Sequence, residues 1–336
     1  MRTVGLFVIW LMLVFEVVGQ SQDVREQLER QTSALRALIA SAPKPTFAGA
    51  PVRVVPPRPN WELAMVSWVA TGRDDRVYML QRGDRADPVV VLNRDGQVVR
   101  SWGKGMFTMP HAIRVDPQGN VWTTDAASSM VTKFSADGLR LMQIEIGGQP
   151  TPCPRNFCST TDIAFAPNGH LYISDGYSNA RILEYTADGR RVRQWGEPGM
   201  GPGQFRLPHS IQVDESGVVY VADRENGRVQ RFDLEGRFLG EWKEYGKTFG
   251  LALDKEGIWL ASQPRELPNG SPGWLIKLDR GTGRLLTYVE AAGNHGIAVS
   301  STGEVFQAPG PMGLTSEGYS GPIPHFFKNA QRSLRR

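Results

Sequence analysis

Three of the five histidines, His111, His209 and His295, open three similar segments. These are His111-Ala-Ile-Arg-Val-Asp-Pro-Gln-Gly, His209-Ser-Ile-Gln-Val-Asp-Glu-Ser-Gly and His295-Gly-Ile-Ala-Val-Ser-Ser-Thr-Gly. Three imidazoles converging on one point, with a fourth position open, form the ligand set of a catalytic zinc. Spacings of 98 and 86 residues say nothing of a metal by themselves. The chemistry depends on what the repeated segment folds into.

Three more copies share the pattern: Ser67-Trp-Val-Ala-Thr, Thr161-Asp-Ile-Ala-Phe-Ala-Pro-Asn-Gly and Phe249-Gly-Leu-Ala-Leu-Asp-Lys-Glu-Gly. Successive starts lie 44, 50, 48, 40 and 46 residues apart, the period of a β-propeller blade. Within a copy an alternating strand meets a Gly turn. A second strand such as Val219-Tyr-Val-Ala-Asp223 follows, then a third such as Arg228-Val-Gln-Arg-Phe232, then a fourth ending near Trp242. Four short antiparallel strands per unit predict an all-β, six-bladed propeller. The last copy shows two clear strands, and the extended stretch Pro51–Val55 is expected to complete it.

This architecture gives the histidines their meaning. They fall in blades two, four and six, where the odd blades carry Ser67, Thr161 and Phe249. Alternate blades of a six-fold ring are about 120° apart, and inner strands border the central channel. The three side chains are therefore expected at one mouth. The start of an inner strand lies beside the end of its antiparallel neighbour, so residues just after second strands share that mouth. Two of these are Arg82 and Arg224, with Ala126, Gly176, Gln263 and Gly310 read as their equivalents, and Tyr177 lies one step past Gly176. Guanidinium forks bind carboxylates, and a phenol beside a cation can serve as a base. For Arg224 the plainer reading is a salt bridge to Asp223 or Glu225. Asp125, Asp175 and Asp223 recur as turn formers. His170, in a Gly turn, and His325, in the tail, are not candidates.

Outside the repeats, residues 1–22 read as a secretory signal, with Arg2 before a twelve-residue, largely apolar run, Val4 to Phe15. That run is too short to span a bilayer. The alternative is an uncleaved anchor. Residues 23–60 read as a helix, with Leu28, Leu35, Leu38 and Ile39 on one stripe, and a Pro-rich linker. The propeller is placed at 61–310 and a basic C-terminal tail at 311–336. The 336 residues hold 37 Gly, 23 Pro and a net charge of +4, which fits a turn-rich globular chain and lacks the basic stripe of a nucleic-acid reader. Two cysteines exclude a disulfide scaffold and a cysteine-only zinc site.

The repeat resembles the NHL propellers. Val77-Tyr-Met-Leu-Gln-Arg-Gly83, Met109-Pro-His-Ala-Ile113, Asp175-Gly-Tyr-Ser-Asn-Ala-Arg-Ile182, Leu207-Pro-His-Ser-Ile211 and Ala222-Asp-Arg-Glu-Asn-Gly-Arg-Val-Gln230 resemble the peptidyl-α-hydroxyglycine α-amidating lyases, over residues 61–308. The resemblance implies zinc on His111, His209 and His295, Tyr177 as base, and Arg82 and Arg224 serving the substrate. It implies cleavage of a peptidyl-α-hydroxyglycine to an amide and glyoxylate; the signal-like segment predicts a secreted or periplasmic location, and a monomer is expected. The family also has Met-Pro before the third histidine and, after it, an Asp that helps hold calcium. Here Gly293 and Asn294 precede that histidine and Gly296 follows it, which leaves calcium open. A family disulfide implies a partner for Cys158; the family's second cysteine is replaced by Ser178, and Cys153 takes its place. Two other functions compete: a non-catalytic propeller binding a peptide or cell-wall ligand, and a metal-dependent lactonase.

Overall fold

The structure, a computed structural model, describes residues 26, 29–30, 32–42, 47–149, 157–291, 293–310 and 324–328. Six four-stranded antiparallel sheets form the blades of a propeller. The inner strands of blades one to six are Val66–Thr71, Pro110–Val115, Thr160–Phe165, Pro208–Val213, Lys247–Leu253 and Gly296–Val299. Both faces of each blade are covered by its neighbours, so inner and second strands are almost wholly buried rather than half-exposed. The core is correspondingly divided among the blade interfaces. Val69, Val90, Ala298 and Phe306 fill the junction of blades six and one, for example, and Trp122, Ile144, Ile163 and Ile173 that of blades two and three.

The propeller closes differently from the sequence expectation. Blade six takes its third strand from Pro324–Lys328 and its outermost from Phe47–Pro51, in the order outermost to innermost Phe47–Pro51, Pro324–Lys328, Val305–Ala308, Gly296–Val299. Closure thus uses Phe47–Pro51 in place of Pro51–Val55; Val55 instead makes a single bridge to Gln97. The blade also reaches into the segment read as a tail. There His325 stacks on Phe306, with ring centroids 4.4 Å apart.

The helix is present over residues 32–41. Leu35 and Ile39 are buried against Tyr220, Trp242, Tyr245 and Leu260, with Leu38 partly so, and these residues pin the helix across blades four and five. Leu28 and the signal-like residues 1–22 lie outside the described residues. Among the described residues no helix is long and apolar enough to cross a membrane.

Candidate active site

In blades one to five the ladder between inner and second strand slips by one residue at the same point. The slips fall between Val66 and Trp68, Pro110 and Ala112, Thr160 and Asp162, Pro208 and Ser210, and Thr248 and Gly250. The extra residues are Ser67, His111, Thr161, His209 and Phe249. A β-bulge leaves one residue without a ladder partner and re-aims its side chain. His111 and His209 therefore sit at bulge positions, while His295 directly precedes its strand, whose ladder shows no such slip.

His111, His209 and His295 come together: all are buried, and their ligand nitrogens lie within 4.8 Å of one another. Each Nδ1 meets a backbone carbonyl in the following blade, at Thr161 (2.6 Å), Phe249 (2.6 Å) and Ser67 (2.7 Å) respectively. These acceptors are the same repeat position in the odd blades. A carbonyl only accepts, so Nδ1 carries the proton and Nε2 keeps a lone pair, the tautomer a metal ligand needs. Burial depresses all three imidazoles, and neighbouring histidine and arginine charges add to it; His295 falls to about 3. They are neutral at physiological pH. Three neutral nitrogen donors in a closed, buried group suit zinc. Among the described residues this is the one group of three His, Cys, Asp or Glu side chains placed to hold a metal.

Tyr177 joins them. Its hydroxyl lies 2.7 Å from His111 Nε2 and 3.3 Å from His209 Nε2. Gly176 lets it reach there, because a Cβ at that residue would run into the Pro208 carbonyl of blade four. Burial raises the phenol's pKa, while the Arg224 and Arg82 guanidiniums pull it down. Arg82 donates from Nε to the Pro110 carbonyl (2.9 Å) and from Nη2 to Ser67 Oγ (3.1 Å). Arg224 is buried, lies 4.9 Å over the Phe249 ring, and pairs through Nε with Glu225 at 2.9 Å. The salt-bridge reading of Arg224 is thus correct for Glu225 and not for Asp223, which pairs with Arg228.

Other expectations need revision. Gln263 ends its second strand opposite Lys247, as Gln81 does opposite Val66, so it corresponds to Gln81 and not to Arg82. Both amides hold loop carbonyls, Gln81 those of Ala86 and Asp87, and Gln263 those of Leu267 and Pro268. Asp125, Asp175 and Asp223 end their strands at the same point and tie adjoining loops by accepting from their N–H groups. His170 is half-buried and bonded to Glu184. Cys158 is buried and no described cysteine is a free thiol; Cys153 lies outside the described residues. Sequence reasoning missed Phe157, whose ring lies 4.9 Å from Tyr177 and 5.5 Å from the Arg82 guanidinium. It also missed Trp68, whose indole lies beneath all three imidazoles at 5.4 to 6.2 Å. Gly296 follows from Trp68, since a Cβ there would sit 2.7 Å from the indole.

A family of six-bladed β-propellers, DUF5128, matches residues 158–256. The chain is 33% identical over 268 residues to peptidyl-glycine alpha-amidating monooxygenase A of Xenopus laevis, covering 71% of this chain and 28% of that protein. It is 27% identical over 282 residues to the probable peptidyl-alpha-hydroxyglycine alpha-amidating lyase pgal-1 of Caenorhabditis elegans, covering 74% and 80%. Human NHL repeat-containing protein 3 is 34% identical over 178 residues, covering 49% and 51%. The chain is a six-bladed β-propeller similar to the α-amidating lyases and to NHL repeat-containing proteins. It spans under a third of the length of the Xenopus relative. The matched residues 158–256 include Tyr177, His209 and Arg224, while Arg82, His111 and His295 lie outside them.

Proposed function

We propose that the protein is a zinc-dependent carbon–nitrogen lyase that cleaves a peptidyl-α-hydroxyglycine, or a similar α-hydroxy amide, to an amide and glyoxylate. The observation that carries this reading is the Tyr177 hydroxyl beside two metal-facing Nε2 atoms, flanked by two guanidiniums. His111, His209 and His295 would hold the zinc, which supplies a Lewis acid that stabilises developing negative charge on oxygen. Arg82 and Arg224 bind the substrate carboxylate and place the α-carbon near Tyr177. Tyr177, as phenolate, takes the proton of the α-hydroxyl. The oxygen's electrons form the aldehyde C=O, the C–N bond breaks, and its electron pair stays on the amide nitrogen. The same proton then passes from Tyr177 to that nitrogen, leaving the residue as it began.

Burial opposes the phenolate and the guanidiniums favour it, and a dication on the neighbouring imidazoles would act in the guanidiniums' direction. Export, removal of about residues 1–19 and a Cys153–Cys158 bond belong to the same reading, and N-terminal sequencing with thiol counting tests them. The deciding experiment is glyoxylate release from α-hydroxyhippurate by the zinc-loaded protein. Turnover supports the lyase. A zinc-loaded protein that releases none from this or longer hydroxyglycine peptides leaves a metal-binding propeller without that chemistry.

A further inference from the structure

One buried charge in the channel has no part in this reaction. Arg114 stands three residues beyond the bulge on the inner strand of blade two, where blades one, three, five and six have Ala70, Ala164, Ala252 and Ala298, and blade four has Gln212. The four alanines leave the axis open, and one arginine fills it. Its Nε and Nη2 hold both oxygens of Asp162 in blade three, at 2.9 and 2.6 Å. Nη2 also approaches Ser210 Oγ of blade four (3.4 Å) and the Leu251 carbonyl of blade five (3.1 Å), and Nη1 the Ile297 carbonyl of blade six (3.5 Å). Its guanidinium carbon lies 5.1 Å from the ring of Trp68 in blade one. A single side chain thus touches all five other blades.

Stability alone does not account for it. A buried ion pair repays its desolvation poorly compared with apolar residues of the same volume, and the four alanines show that a blade is built without one. Trp68 carries a further cost, because its fully buried Nε1 has no hydrogen-bond partner among the described residues. Yet the indole lies beside both the guanidinium and all three imidazoles. A cation over an aromatic face attracts it, and the bidentate fork to Asp162 fixes where that cation sits.

We infer that Arg114 and Trp68 are positioning residues for the histidine triad: Arg114, clamped by Asp162, holds the indole, and the indole is the floor that keeps each imidazole on its carbonyl with Nε2 toward the axis. The inference rests on the metal reading above for its importance, and its test separates the two. Two variants serve: Trp68→Ala, with Trp68→Phe as the conservative rescue, and the double change Arg114→Met with Asp162→Leu, which removes both charges together rather than leaving one buried and unpaired. Circular dichroism and melting establish folding. In metal-free protein, nitrogen-15 spectra of the histidine side chains report the tautomers; in the presence of zinc, competition with a chromophoric chelator reports affinity. Trp68→Ala and the double variant are expected to give mixed tautomers and about 10- to 100-fold weaker zinc binding, as supporting groups behind metal ligands do. Trp68→Phe should recover most of it. Unchanged imidazole spectra in folded variants, or unchanged zinc affinity, would overturn the inference. A wild-type protein without zinc affinity would overturn the metal reading alone, and the imidazole spectra would still decide this one.

Discussion

Two levels of the channel, a few residues apart on the same inner strands, treat polar groups in opposite ways. At the lower level, Arg114 and Asp162 spend their donors and acceptors on each other, on Ser210 and on the carbonyls of Leu251 and Ile297. At the upper level, each histidine spends Nδ1 on a carbonyl and turns Nε2 toward the others. Both levels are buried, and both draw side chains from several blades. Burial of polar residues therefore does not distinguish a site from a strut. The distinction is whether acceptor lone pairs converge, as the Nε2 atoms do around the Tyr177 hydroxyl.

The contrast is broken most severely by removing a lone pair. His111→Ala, His209→Ala or His295→Ala should each lose the bound zinc and reduce glyoxylate release to background while the β-rich circular dichroism stays. Metal analysis of dialysed protein checks this, and full zinc retention in all three would reject the upper level as a site. Next in size is Tyr177→Phe, which removes the acidic phenol alone. Its kcat should fall by about 10² to 10⁴, with zinc content unchanged. Arg82→Ala and Arg224→Ala come third. Each loses a charge-assisted contact worth about 1.5–3 kcal/mol, so KM for a carboxylate substrate should rise about tenfold to a hundredfold, with a smaller change for an esterified substrate. Steady-state kinetics on both substrates would expose an arginine that merely supports its loop.

The smallest effect concerns the seam between blades one and six. Burial alone would raise the Asp75 carboxyl, but the Ser301 amide and hydroxyl and the Arg94 guanidinium outweigh it and hold the group below 3.8. The native state then binds its proton later than the unfolded chain does. The resulting stability is present above pH 3.8 and is lost as pH falls through the lowered native value. Melting curves of Asp75→Asn should thus show a shallower loss between pH 5 and pH 3 than wild type, and parallel curves would remove the seam from the account.

Much of the upper level was legible in the sequence. A repeat of blade length turns distant residues into neighbours, so His111, His209 and His295 could be placed on one ring, and Tyr177, Arg82 and Arg224 beside it. The lower level was not legible, because Trp68 and Asp162 share a repeat position but not a chemistry, Arg114 occupies another position in a third blade, and the three meet only across the axis. Nor was the bulge: it adds one residue at a single point of a six-residue strand, too local a change to read from a period-2 pattern. The closing strands were misplaced for a related reason. Phe47–Pro51 and Pro324–Lys328 pair with partners nearly the whole chain apart, and local pattern carries no trace of which distant segment completes a sheet. Gln263 was set one step off because Gln and Asp do the same loop-tying work at that position, and only the ladder shows the equivalence.

The composite sixth blade also imposes an order in time. A chain emerging from its N-terminus can complete blades one to five as each segment arrives, placing His111 and His209 while synthesis continues. His295 arrives in a blade whose third strand, Pro324–Lys328, comes later still and must then meet Phe47–Pro51, a strand made at the outset. Contacts so far apart in sequence form slowly. The third histidine therefore belongs to the one blade that draws its strands from both ends of the propeller.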